Sequence, residues 1–246
     1  MAAMERWNDT GIVIAVRPHG EGGAVVTLLT ENHGRHAGYV HGGHSSARLR
    51  AGLQPGATVD VEWNARSHDQ LGSFSIEEAR GGSPAWLDDA ASLAALQAVC
   101  SILDKVLPER ELHPALYAGT AAFLDVLGHD RDIWGATLVL WELAVLRELG
   151  FGLDLSKCVV TGVTDDLHYV SPKSGGAVSL EAAGPYKDKL FPLPAFLRGG
   201  EGVCTADVLA GLKLSGRFLE HRLFAHTSHT LPEARLRLLS FFAEQP

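Results

Sequence analysis

At 246 residues, with 46% apolar and 20% charged positions, the chain has an ordinary globular composition and the length of one large domain or two small ones. Its formal net charge of -8 excludes a protein that coats DNA by bulk charge and leaves room only for a local basic face. No apolar run is long enough to span a bilayer, Met1 to Thr10 lacks the features of a secretory signal, and Cys100, Cys158 and Cys204 are too few and too far apart for a disulfide framework, so reduced thiols in a cytoplasm are expected.

The first 80 residues read as β-structure. Gly11 to Arg17 (GIVIAVR) is apolar and β-branched, and Pro18, Gly20, Gly22 and Gly23 break it. Ala24 to Thr30 is a second strand and Arg35 to His41 a third, followed by a Gly/Ser-rich loop through Gly52. Thr58 to Arg66 (TVDVEWNAR) alternates apolar and polar residues, which places Trp63 with Val59 and Val61 in a core, and Gly72 to Ala79 is a fifth strand. Five short strands suggest a small barrel or sandwich, of which the closed form removes the exposed edges. Tyr39 on the third strand suits either the barrel core or a base-stacking role.

From Gly81 the pattern turns helical. Ser83 is a candidate N-cap with Pro84 at the first helical position, and Leu93, Leu96, Val99 and Leu103 share a face before Pro108 ends the run. His113 to Leu127 is a second helix. Asp132 is a candidate N-cap for a third, which reaches Leu149, stops at Gly150 and is apolar nearly all round, as a central helix would be. Leu153 to Leu180 reads as an irregular, strand-like insert, and Thr205 to Phe224 and Pro232 to Phe242 are further helices. The expected architecture is multidomain α+β: a small five-stranded barrel or sandwich over residues 1–80, then a helical domain over 81–246 with an insert at about 153–180.

One segment stands out chemically. Asn32 to Val59 has no Asp or Glu but carries Arg35, Arg48, Arg50, His33, His36, His41 and His44 among six glycines. Phosphates favour such segments, because fixed positive charge is undiluted and glycine lets backbone N–H groups approach a ligand. Arg35, Arg48 and Arg50 are candidate phosphate contacts, with Arg17 a further one and His41 and His44 as hydrogen-bond donors. A mobile loop whose lack of acids is accidental is the alternative. No phosphate loop, dinucleotide fingerprint, H-E-x-x-H or G-x-S-x-G motif is present, so no catalytic residues and no cofactor are expected. His226 and His229 have a metal-like spacing, but Thr227, Ser228 and Thr230 around them are poor zinc ligands.

The tracts Trp7-Asn8-Asp9-Thr10-Gly11-Ile12-Val13, Leu28-Leu29-Thr30-Glu31-x-His33-Gly34-Arg35 and Leu53-Gln54-Pro55-Gly56 resemble the N-terminal part of the RecO family. Trp141-Glu142-Leu143-Ala144-Val145-Leu146, the turn Tyr169 to Gly175 and Leu193-Pro194-x-Phe196-Leu197 resemble its C-terminal part, so the likeness covers nearly the whole chain. The resemblance implies an OB barrel followed by a helical domain, and a mediator of DNA repair and recombination. Such a protein binds single- and double-stranded DNA, anneals complementary strands and works with RecR to load RecA onto strands coated by the single-stranded-DNA-binding protein. A helical protein-protein adaptor with little DNA binding of its own is the other reading. Many relatives look like zinc proteins in the insert; here Cys158, Thr161, Ser179 and Ala182 fall at the corresponding positions, so no metal is carried over. The resemblance also implies capture of the acidic C-terminal tail of the single-stranded-DNA-binding protein in an apolar pocket rimmed by cations. Lys213, Arg217 and Arg147 are rim candidates and Leu214 and Phe218 candidate walls, although the last two also have the spacing of core residues.

Overall fold

The computed structural model describes residues 5–67, 69–80, 88–200 and 202–243. The chain divides into two compact units, Met1–Leu124 and Asp125–Pro246.

The first unit opens with a long strand, β1 (Glu5–His19). Its second half pairs antiparallel with β2 (Gly23–Thr30), and its first half pairs antiparallel with β4 (Thr58–Ala65). The change of partner falls at a bulge between Val13 and Ala15, where Val13 donates to the Ala57 carbonyl at 2.8 Å and accepts from Gly56 N–H at 2.8 Å. A bulge bends the strand and lets one element serve two sheets. Between these strands lie β3 (Gly34–Val40), paired with β2, and a short helix α1 (Ala47–Gly52). With β5 (Ser73–Arg80) the strands close in the order β1-β2-β3-β5-β4, an OB-type barrel.

Strict alternation fills the barrel. On β4 every second side chain, Val59, Val61, Trp63 and Ala65, is buried, and Trp63 satisfies its indole N–H on the Leu71 carbonyl at 3.0 Å. On β3 the inward set is Gly34, His36, Gly38 and Val40, which turns Arg35 and Tyr39 outward. Gly38 must be glycine, because a Cβ there would sit 2.5 Å from the Phe74 ring that fills the barrel. Tyr39 therefore is not a core residue.

The expected loop after β3 contains α1, capped by the Ser46 hydroxyl, which accepts from Leu49 N–H at 3.4 Å. Six residues ending in Gly are too short to show a helical period. Helix α2 (Ala90–Val106) takes Asp89 as its N-cap, with the carboxylate accepting from Ser92 N–H at 2.7 Å; Ser83 and Pro84, the expected start, lie outside the described residues. Helix α2 covers the outside of the barrel at the β1 bulge, where the Cys100 thiol reaches the Val13 carbonyl at 3.9 Å and Leu96 lies over Gly56. Helix α3 (Pro114–Val126) completes the unit with proline at its first position.

The second unit is built on α4 (Arg131–Glu148), whose N-cap is Asp130 rather than Asp132, with Gly150 at φ 85° beyond its end. Ile133 and Leu140 are half exposed on α4, so the helix is not buried on every side. The insert is more regular than expected. Strands β6 (Asp154–Cys158), β7 (Leu167–Val170), β8 (Gly176–Ser179) and β9 (Phe191–Pro192) form one sheet in the order β6-β8-β7-β9, with α5 (Leu180–Ala183) after β8. Helix α6 (Thr205–Phe218) packs on α4 and ends in a π turn, Leu219–Leu223, instead of running on to Phe224. Helix α7 (Glu233–Ala243) packs on α6. The three helices are joined by a buried polar cluster. The Arg235 guanidinium donates to both carboxylate oxygens of Glu142 and, at 2.7 Å, to the Leu212 carbonyl, while the Ser215 hydroxyl donates to Glu142 at 2.5 Å.

Candidate nucleic-acid interface

The acid-free segment separates into a structural half and a free half. His33 is drawn out of reach: its Nδ1 lies 2.7 Å from Asp9 and its ring stacks on Trp7 at 3.9 Å. His36 points into the barrel among Trp7, Trp63 and Phe74. Arg35, expected to meet phosphate, instead clamps the C-terminal end of α2. Its Nε donates to the Leu107 carbonyl at 2.7 Å, and its Nη atoms face Asp104 at 3.6 Å and Glu109 at 3.8 Å, leaving the side chain 16% exposed. A cation on the last carbonyls of a helix is favourable in itself. Arg17 is bound to the same Asp104. Arg35 is thus occupied within the first unit, whereas Arg17 keeps 60% of its side chain exposed.

The other half of the segment is open. Arg48 and Arg50 are exposed on α1, and neither has a side-chain partner among the described residues. His41 and His44 are exposed just before them. Main-chain bonds hold this loop beside the β1–β2 turn, with His44 and Ser45 N–H both donating to the Gly22 carbonyl at 3.1 Å. The structure therefore brings His41, His44, Arg48 and Arg50 to one end of the barrel, and commits Arg35 to the end of α2 instead.

Arg66 is a further cation that the sequence pattern does not single out. It is exposed just past the end of β4, on a groove of about 410 Å³ that Tyr39, Asn64, Gln70 and Ser73 also line. Local composition hid it, because Asp60 and Glu62 precede it on the same strand. A second groove, of about 310 Å³, has the opposite character: Asp9, Glu31 and Asp60 line it with Asn8 and Asn32. Three carboxylates repel a polyanion, so charge alone separates the two grooves.

In the second unit the expected pocket walls fail. Leu214 is 0% and Phe218 1% exposed, so both are core and offer no wall to a ligand. Lys213, Arg217 and Arg147 are exposed, and Arg217 lies against His221 on the next turn. Arg222 is half-buried, its guanidinium over the Phe218 ring at 4.8 Å and donating to the Ser174 carbonyl at 2.5 Å.

The insert positions compared with zinc ligands do converge in part. Ser179 N–H donates to the Cys158 sulfur at 3.3 Å, and the Ser179 hydroxyl accepts from Ala182 N–H at 3.3 Å. Burial pushes the Cys158 thiol up, but hydrogen bonds from Thr161 and Ser179 outweigh it and hold the pKa down to about 6. One thiol with Thr, Ser and Ala does not make a zinc site, since Ala182 has no donor atom. Among the described residues no three His, Cys, Asp or Glu side chains converge as metal ligands would.

Comparison with known sequences decides the relationship. The family described as Recombination protein O N terminal matches residues 4–81, and Recombination protein O C terminal matches residues 87–230. The chain belongs to the RecO family. Among curated relatives, the DNA repair protein RecO of Rhodospirillum centenum is 46% identical over 95% of this chain and 93% of its own length. Those of Ruegeria sp. and Phenylobacterium zucineum are 45% and 48% identical, each over 97% of this chain and 99% and 98% of their own lengths. The RecO N-terminal match covers the barrel and the C-terminal match most of the helical part, which gives the chain the frame of a DNA repair protein. No helix among the described residues is long and apolar enough to cross a membrane.

Proposed function

We propose that this chain is a recombination mediator of the bacterial cytoplasm and nucleoid. It binds single- and double-stranded DNA at one end of its barrel, anneals complementary strands and, with RecR, helps load RecA onto strands coated by the single-stranded-DNA-binding protein. The observation that carries the reading is the unpaired pair Arg48 and Arg50 on α1, set beside exposed His41 and His44 on a barrel whose acidic groove lies elsewhere. Phosphate contacts of this kind hold both single and double strands without reading sequence. The relatives are named DNA repair proteins, which supports a role on DNA.

Arg35 drops out of this interface because Leu107, Asp104 and Glu109 hold it, while Arg17, exposed beside Asp104, stays a candidate phosphate contact. The test is the salt dependence of single-strand binding. The double variant Arg48→Ala/Arg50→Ala lowers the slope of log K against log salt by about 1.4, at roughly 0.7 per phosphate contact. An unchanged slope removes the assignment, and a parent chain that binds no DNA at low salt favours the adaptor reading.

The tail of the single-stranded-DNA-binding protein needs a different apolar wall from Leu214 and Phe218. Ile133, Leu140 and Arg147 are spaced by seven on α4 and so share one face; the first two are each 50% exposed. This stripe, ending in a cation, suits an acidic peptide with an apolar end. Arg147→Glu weakens binding of a labelled tail peptide by about 2 kcal/mol or more in this reading, whereas parental affinity in that variant places the tail on Lys213 and Arg217.

A further inference from the structure

We propose that the seam between β3 and β5 is a slot for one unstacked nucleobase of single-stranded DNA, with Tyr39 as the stacking platform and Arg66 as the cation beside it. The slot rests on the DNA-binding reading above and adds to it a means of telling a single strand from a duplex.

The seam is where the barrel is least closed. Strands β3 and β5 share one parallel pair, Tyr39 with Ser73, and Tyr39 N–H donates to the Gly72 carbonyl at 3.1 Å. The groove of about 410 Å³ opens at this pair, lined by Tyr39, Asn64, Arg66, Gln70 and Ser73 with no carboxylate among them. Tyr39 alternates out of the barrel, so its ring has no core to fill. Neighbours fix it nonetheless. Its hydroxyl end lies against Gly23, where a Cβ would sit 1.9 Å from the phenol oxygen, and His41 and His19 meet the ring almost perpendicularly at 4.7 and 5.9 Å. A half-buried aromatic held in place on a groove is a stacking surface whose ordering cost has been met on folding. The guanidinium of Arg66 supplies positive charge for the adjoining phosphate or a cation–π contact with the base, and the amides of Asn64 and Gln70 supply donors and acceptors for its edge.

Geometry sets the selectivity. A base in a duplex is stacked on both faces and enters a slot only after unstacking, whereas a single strand offers its bases freely. Arg48 and Arg50 contact phosphates that both forms carry. Affinity from α1 is therefore common to the two, and affinity from the seam belongs to the single strand.

The experiment measures binding of the full chain to three probes of equal length by fluorescence anisotropy: a thymine tract, an abasic strand with the same phosphates, and a duplex. The slot predicts that the parent binds the thymine tract roughly tenfold more tightly than the abasic strand, the scale of one stacked base. Tyr39→Ala removes that advantage and leaves the abasic strand and the duplex unchanged, while Tyr39→Phe keeps it. Because the first comparison uses the parent alone, a folding defect in a variant does not blur it. Equal parental affinity for the thymine and abasic strands overturns the slot while DNA binding stands, and so does a Tyr39→Ala loss shared equally by all three probes. Failure of the parent to bind any probe at low salt overturns the DNA-binding reading and the slot together.

Discussion

At the residue scale, the same side chain does different work depending on who is near. Arg35 and Arg48 belong to one acid-free segment, yet Arg35 ties β3 to the end of α2 and Arg48 points to solvent. Arg35→Ala leaves the Leu107 carbonyl and Asp104 without this donor, and the expected loss of stability is about 1–3 kcal/mol by denaturant titration, with the salt slope of DNA binding kept. Cys158 gives a pH prediction. Its pKa is lowered from 9.0 to about 6 by the hydrogen bonds from Thr161 and Ser179 that outweigh burial. A group with a depressed pKa stabilises the fold fully above its unfolded pKa and loses that contribution as pH falls through the folded one. The gap in melting temperature between the parent and Cys158→Ala is therefore widest near pH 9 and narrows towards pH 6; a gap constant across that range contradicts the ionised thiol.

At the element scale, strand positions were legible in the sequence because alternation is local. Val59, Val61 and Trp63 announce their face within five residues, and the buried set on β4 follows it. The helices of the second unit were legible for the same reason. What could not be read was long-range pairing. Asp104 meets Arg17 across 87 residues, and Leu107 meets Arg35 across 72, so no window of sequence shows these contacts or that Arg35 is taken. The Glu142–Arg235 pair is of this kind too, joining α4 to α7 across 93 residues. Removing one member of a buried pair strands the other, so Arg235→Met is expected to cost about 3–5 kcal/mol, read as a lower denaturation midpoint. Replacing Glu142 and Arg235 together by apolar residues costs less than the single change, because no charge is then left unpaired.

At the scale of the whole molecule, the barrel does not stand on its five strands alone. Helix α2 covers the β1 bulge through Cys100 and Leu96 and receives the Arg35 clamp at its end. We expect a fragment of residues 1–80 to be poorly folded and a fragment of residues 1–124 to melt cooperatively, with circular dichroism and heat denaturation as the measurements; a cooperative transition in the shorter fragment would show that the helix is dispensable. A cooperative transition confined to the longer fragment puts the boundary of the folding unit some forty residues beyond the last barrel strand, which neither the composition shift at Gly81 nor the strand pattern discloses.

The partner switch in β1 also governs how the chain emerges from the ribosome. Strand β1 is made before both of its neighbours, and its leading half, Glu5 to Ile12, pairs with Thr58 to Ala65. Until those residues clear the exit tunnel, a nascent hairpin of β1 and β2 carries an unpaired edge on the stretch that ends at the bulge. Such edges recruit other strands. Synthesis therefore passes through an interval in which β1 is open to mispairing, and pausing translation before residue 58 should lengthen that interval and raise the share of chain lost to aggregation.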